Sequence, residues 1–338
     1  MSIARTQIAT LSAGGYENSV AGFPLFDRRL VIFTGKGGVG KTAVAMAAAL
    51  AAAAAGRRTL LVELTDIGAL GERLGLPHQL GREPRRVRPN LAVCRLDAHE
   101  ALEDFVRGLM PFGLFARRLL SSWSFRTVAA AAPGLDEFLA LYQLSQWEAE
   151  RRPGSRRFRY DLIVVDAVAT GHSIPLLTAP DTFVRMVPVG PFADLARRLR
   201  TLLRDEERTA VSVVTLPEEM AVNEAIDLYR QLGELDLPLT APVVNAVLPR
   251  RFSAEEEAAI QGGGIPAAWG RYAAAARFEL AWRRIADQHI ARLCTAIAPE
   301  PIRLPYVFTH ALTLVTVGPL RDALAEAARL SAAPRTTS

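Results

Sequence analysis

The residues of this sequence best fitted to chemistry are Gly35-Lys36-Gly37-Gly38-Val39-Gly40-Lys41-Thr42. Gly35, Gly40, Lys41 and Thr42 stand at the Walker A spacing, after a strand-like run and before a helix-like one. The glycines let the backbone turn tightly, so that successive N–H groups can point at phosphate oxygens. The start of the following helix adds a dipole that favours an anion. Lys41 is expected to reach the β- and γ-phosphates and Thr42 to set its hydroxyl on Mg²⁺; ATP and Mg²⁺ are the expected cofactors. Asp166 closes the apolar run Tyr160–Asp166, where a carboxylate is placed to hold the metal or its waters.

The surrounding sequence supplies the elements that would position these residues. Leu30–Thr34 is a short apolar run that reads as a buried strand, and the glycine loop follows it at once. An alanine-rich helix is expected from Lys41 to about Ala55, then strands at Thr59–Glu63 and Leu91–Leu96. Strand, loop, helix, strand is the βαβ pattern of a parallel sheet. The sheet resumes at Tyr160–Asp166, with further strands at Thr209–Thr215, Ala241–Val247 and Pro301–Pro305, and a long helix over about Ala267–Ile297. Between the third and fourth strands, residues 98–150 read as a helical insertion. Leu102, Phe105, Val106 and Leu109 recur at helical spacing there, and a second helix covers Leu135–Glu150. The fold class is therefore α/β, a P-loop nucleotidase with a mostly parallel twisted sheet flanked by helices and a helical insertion. Residues 1–28 read as a loosely ordered leader, 29–330 as one ATPase domain and 331–338 as a disordered tail.

Lys36 adds a second cation, too early in the loop to be the ordinary P-loop lysine. Lys-Gly-Gly-Val-Gly-Lys-Thr resembles the deviant Walker A group, which includes MinD, ParA, nitrogenase iron protein and the ArsA-like ATPases. The resemblance implies that Lys36 contacts nucleotide across a dimer interface and offsets transition-state charge as an arginine finger does; the plain alternative is a solvated lysine beside the loop. Asp166-Ala167-Val168-Ala169-Thr170-Gly171-His172-Ser173 looks like the switch II of ArsA-like proteins, with Ala169 replacing the family proline and Ala167 the threonine. His172 is given no catalytic role. Pro133–Glu137, Val214–Glu218 and Val244–Pro249 match three further family segments. In the last of these the resemblance assigns Asn245 to adenine recognition, a task suited to an amide that both donates and accepts; a turn-forming asparagine is the alternative. Switch I departs most, since Glu63-Leu64-Thr65-Asp66 lacks the family proline. Asp66 is the position that aligns with the water-orienting aspartate, and Glu63 is an alternative acid near the metal.

The resemblance implies a dimeric Mg-ATPase, a homodimer or a dimer with a related chain, that opens and closes around a protein or membrane-associated client. The other reading is a MinD- or ParA-like positioning switch with little hydrolysis. Leu102–Phe125, with Met110, Phe105, Phe112, Phe115 and Phe125, could face a client; packing within the insertion or across the dimer is the alternative. Cys94 and Cys294 are isolated and without C-x-x-C spacing. They form neither a zinc clasp nor a three-thiol arsenite site, and they suit a cytoplasmic chain. The charge of +5 gathers largely in two arginine clusters, Arg82–Arg95 and Arg151–Arg159, read as solvated loops or as contacts for an acidic partner. Nucleic acid is not an expected partner. The apolar stripe Leu320, Ala323, Leu324, Ala327 and Leu330 is expected to pack on the body.

Overall fold

Short apolar runs become strands in this computed structural model, which describes residues 24–64, 69–76, 80–96, 134–167, 170–262, 269–297 and 300–329. The strands are β1 (Leu30–Thr34), β2 (Thr59–Glu63), β3 (Arg85–Arg88), β4 (Leu91–Arg95), β5 (Leu162–Asp166), β6 (Thr209–Thr215), β7 (Val243–Val247) and β8 (Ile302–Pro305). They form one eight-stranded sheet in the order β3-β4-β2-β5-β1-β6-β7-β8. Every pairing is parallel except that of β3 with β4. Three strands start later than the sequence pattern suggests. β7 and β8 begin after Pro242 and Pro301, which lack an N–H to donate. Before β5, the Asp161 carboxylate is taken by the Arg58 side chain and backbone N–H.

Parallel strands need covering layers on both faces. One face carries α1 (Lys41–Ala54), α2 (Ala69–Arg73) and α9 (Gly318–Arg329). The alanines of α1 are buried almost all round, because their small side chains fit between the sheet and α9. Leu320, Leu324 and Ala327 of α9 are buried in that same cluster, so this part of the C-terminal stripe packs on the body as expected. The other face carries α3 (Leu135–Ala149), α4 (Thr170–Met186), α5 (Pro191–Arg204), α6 (Glu219–Gly233) and the end of α8 (Gly270–Ala296). α7 (Ala254–Gly262) packs against α8.

Helix α3 shares its core with the sheet: Phe138, Leu139 and Leu144 pack in one cluster with Leu30, Leu60 and Ile163. Phe138, Phe183 and Phe192 meet ring to ring, with centroids 4.6, 5.0 and 5.2 Å apart, and tie α3, α4 and the start of α5 together. Most of the expected helical insertion, with the stretch 102–125, lies outside the described residues, as do the leader through residue 23 and the tail from residue 330. One solvated-loop reading is corrected: Arg85–Arg88, inside the first arginine cluster, is an edge strand.

The chain runs from β1 over to β2, later fills the gap with β5, and then proceeds outward on the opposite side through β6, β7 and β8. The direction of winding therefore reverses at β1. Such a switch point opens a crevice beyond the carboxyl ends of the strands, where ligands of open α/β sheets bind.

Candidate active site

Loop 35–40 leaves β1 at that crevice and ends as the start of α1. Two of its glycines are required by close approach. Gly35 has φ 146°, and a Cβ there would overlap the Val214 carbonyl oxygen on β6. Gly40 has φ 88°, and a Cβ there would overlap Nδ2 of Asn245. That amide donates to the carbonyl of Val39 at 3.0 Å, tying the end of β7 to the loop. Ala246, the next residue, is held at φ 58° where the β7–β8 register shifts. The irregularity keeps Asn245 on the loop side while Val247 joins the opposite core.

Lys41 folds back over the loop. Its Nζ donates to the carbonyls of Gly35 at 3.1 Å and Lys36 at 2.9 Å. Burial pulls its pKa below the usual lysine value, and the charges of Asp166 and Glu224 oppose the fall. Lys36 points elsewhere: its ammonium lies 2.9 Å from Glu224 on α6, a pair about one-third exposed on each side. The two lysines of the loop thus point in separate directions, Lys41 to backbone carbonyls and Lys36 to a carboxylate, while both feel the charge of Glu224.

Asp166 and Glu63 end neighbouring parallel strands in direct register. Alternation places both on the α1 face, since Leu61 and Val164, two residues earlier, belong to the α1-side core. Each is 1 % exposed. Glu63 accepts a hydrogen bond from the backbone N–H of Leu70 at 3.0 Å, which fixes the start of α2. Both carboxylate oxygens of Asp166 are buried without a hydrogen-bond partner. Burial pushes the Asp166 pKa up to about 6, and the Glu63 charge adds to the rise. The Thr42 hydroxyl opposes it most, followed by Lys41 and Arg73. A buried carboxylate in this condition is costly unless a cation or a proton satisfies it. An oxygen-seeking divalent cation fits this donor set, with Thr42 and Asp166 nearest to hand.

The structure therefore brings together Gly35 to Thr42, Asp166 and Asn245. Asp66 lies outside the described residues, and so do the side chains of Thr170, Gly171 and His172. Two contributors were missed from sequence. Glu224 could have been sought as the first acid beyond the opening turn of the helix that follows Val214–Glu218. Val214 gave no signal, because its part is played by a backbone carbonyl.

A Walker A loop at the switch point of a mostly parallel sheet defines the chain as a P-loop ATPase. More particularly, it belongs to the anion-transporting ATPase family, whose sequence model matches residues 28–190 and 188–260. It is 29 % identical over 268 residues to the ATPase BagA of Mycobacterium tuberculosis, 77 % of each chain. It is 29 % identical over 242 residues to the arsenical pump-driving ATPase of Acidiphilium multivorum, 65 % of this chain and 39 % of that one. With the Escherichia coli arsenical pump-driving ATPase it shares 26 % identity over 249 residues, 67 % of this chain and 40 % of the relative. No helix among the described residues is long and apolar enough to cross a membrane.

Proposed function

We propose that this ATPase binds Mg-ATP at loop 35–42, hydrolyses it as a dimer, and couples dimer opening and closing to a protein or membrane-associated client in the cytoplasm. The observation that carries the nucleotide site is the buried, unpartnered carboxylate of Asp166 behind a loop shaped by Gly35 and Gly40. Bound Mg²⁺ supplies charge neutralisation for the phosphates. Thr42 and Asp166 hold the cation or its waters, and Lys41 exchanges its two carbonyl contacts for phosphate oxygens. Asn245 already contacts the loop through Nδ2, and its remaining amide capacity is available to an adenine edge. Asp66 orients the attacking water by the family resemblance.

Lys36 supports the dimeric part of the reading. Its ion pair with Glu224 is partly solvated, and such pairs contribute only about 0–1 kcal/mol. Lys36 therefore gives up this partner readily for a phosphate of the neighbouring subunit. Apolar side chains exposed along α8 support the client part: Phe278, Trp282 and Ile285 recur at helical spacing on its outer side. Arsenite sensing through clustered thiols is not proposed, since Cys94 is buried in β4 and Cys294 stands on α8.

Titration of a fluorescent ATP analogue with and without Mg²⁺, combined with light scattering, tests the reading. Lys41→Ala should abolish nucleotide binding. Asp166→Asn should bind nucleotide but lose the Mg²⁺ dependence, and wild-type protein should approach dimer mass with ATP. An Asp166→Asn protein with undiminished Mg²⁺ dependence would remove the basis of the metal assignment. A monomer with ATP bound would remove the dimer.

A further inference from the structure

The arginines of β3 stand where the sheet ends, far from the crevice at β1. Among the described residues no strand pairs with the outer edge of β3, and apart from a 3.4 Å bond from Arg86 Nε to the Arg88 carbonyl its outward backbone groups offer a template there. Arg85, Arg86 and Arg88 are exposed, and none has a carboxylate within ion-pair distance among the described residues. Register fixes their directions. Arg85 stands opposite Val93, which belongs to the α1-side core, and Arg86 opposite Ala92, which packs on the other face. Arg88 follows the irregularity at Val87 and stands opposite Leu91, back on the face of Arg85. Cations without a carboxylate partner among the described residues therefore flank this edge on both faces of the sheet.

A cavity of about 490 Å³ opens beside the start of β3, lined by Arg82 and Arg159, by the carboxylates Glu83 and Glu150, and by Gln143 and Trp147 among others. Its floor belongs to α3, where Trp147 is buried.

We infer that the β3 edge is a docking site for an extended acidic peptide segment, which adds to the sheet as a further strand. Backbone hydrogen bonds to the open edge would set its register. Consecutive acidic side chains along it would meet Arg86 on one face and Arg85 and Arg88 on the other, because successive strand residues point to opposite faces. A second copy of the same edge does not fit, since pairing β3 with β3 sets arginine against arginine. A flat anionic surface uses the charge but leaves the unpaired backbone groups unanswered. Charge on an edge also deters unwanted pairing, and the experiment separates that role from docking.

The full chain is titrated into a fluorescent Glu-Val peptide, a run of consecutive Glu flanked by Val, followed by anisotropy. Three controls are a Lys-Val peptide, a Glu-Val peptide N-methylated at alternate residues, and anionic phosphatidylserine vesicles; single-stranded DNA is a fourth. The Glu-Val peptide should bind, the Lys-Val peptide should not, and N-methylation should abolish binding by removing backbone donors. Arg85→Glu/Arg86→Glu/Arg88→Glu should weaken binding at least about tenfold, from three cross-strand charge pairs reversed. Its ATP hydrolysis should stay at the wild-type rate, since these side chains are remote from loop 35–42. Equal binding of the N-methylated peptide overturns strand addition. Binding of vesicles or DNA without binding of the Glu-Val peptide overturns the choice of partner. Failure of every probe leaves the arginines as protection of the edge and also overturns the proposal.

Discussion

Gly40 and Asn245 lie 205 positions apart in the chain, yet the Asn245 amide fills the space that a side chain at position 40 would need. Gly40→Ala therefore carries two separable costs. The first is the left-handed conformation at φ 88°, about 1–2 kcal/mol for a residue with a Cβ. The second is the overlap with Nδ2 of Asn245. Relieving it displaces the amide and breaks its bond to the Val39 carbonyl, a loss of about 1 kcal/mol plus about 1–2 kcal/mol of overpacking. Gly40→Ala alone should thus destabilise the ligand-free protein by about 4 kcal/mol. Asn245→Ala alone loses the hydrogen bond and should cost about 1 kcal/mol. In the double variant the overlap disappears, leaving about 2.5 kcal/mol against a sum of about 5, a coupling of about 2.5 kcal/mol. Urea denaturation of the four proteins without nucleotide gives the cycle directly, so that activity plays no part in it. Additivity within about 0.5 kcal/mol would show that Gly40 and Asn245 do not share this space, and the reasoning that joins β7 to the loop would fall.

Lys36→Ala should bind ATP with nearly wild-type affinity but hydrolyse it poorly, and wild-type turnover in a steady-state phosphate-release assay sinks the cross-subunit role. Asp66→Asn should trap the ATP-bound dimer in gel filtration, while an unchanged hydrolysis rate removes Asp66 from the chemistry and leaves Glu63 as the alternative acid near the metal. Leu324→Ala removes a fully buried side chain packed against α1 and should lower stability by about 3 kcal/mol, read as a fall in the urea midpoint. Glu148 is 3 % exposed and bridges Arg29 and Arg208 at 2.6 Å each, at the end of the sheet away from the crevice. Burial alone would raise its pKa, but hydrogen bonds from Arg208 and Arg29 outweigh it and hold the carboxyl below its ordinary value. A depressed carboxyl contributes stability above its unfolded pKa and loses it as pH falls through the folded value. Glu148→Gln should therefore cost about 2–3 kcal/mol near neutral pH. The gap to wild type should close in acid, below the ordinary carboxylate range, and a pH-independent gap contradicts the pairing.

The sheet was legible wherever strands are buried on both faces. Leu30–Thr34, Thr59–Glu63 and Thr209–Thr215 coincide with their sequence limits, because a continuous apolar run bounded by turn residues leaves little choice of register. β3 was hidden for the opposite reason. Its residues are arginine at three of four positions, and an edge strand needs no apolar pattern when only its neighbour's backbone holds it. In the site, glycines, Lys41 and Asp166 announced themselves through spacing, and Asn245 through a resembling segment. What sequence could not show was contact: the carbonyl of Val214 against Gly35, or Glu224 beside Lys36. Backbone atoms carry no residue signature, and a single acid on a helix is usually a solvated one.

The aromatic cluster of Phe138, Phe183 and Phe192 has a mechanical consequence. Helix α4 begins four residues beyond Asp166 and is gripped further along by Phe138 of α3 and Phe192 of α5. Rings packed edge and face at such distances resist sliding, because each step out of register loses contacts that the close-packed interior cannot replace. A displacement at the start of α4 must then either shear that stack or carry α3 with it as one rigid body. In this arrangement the three phenylalanines act as a coupling between the buried Asp166 carboxylate and Gly134, where the chain enters α3.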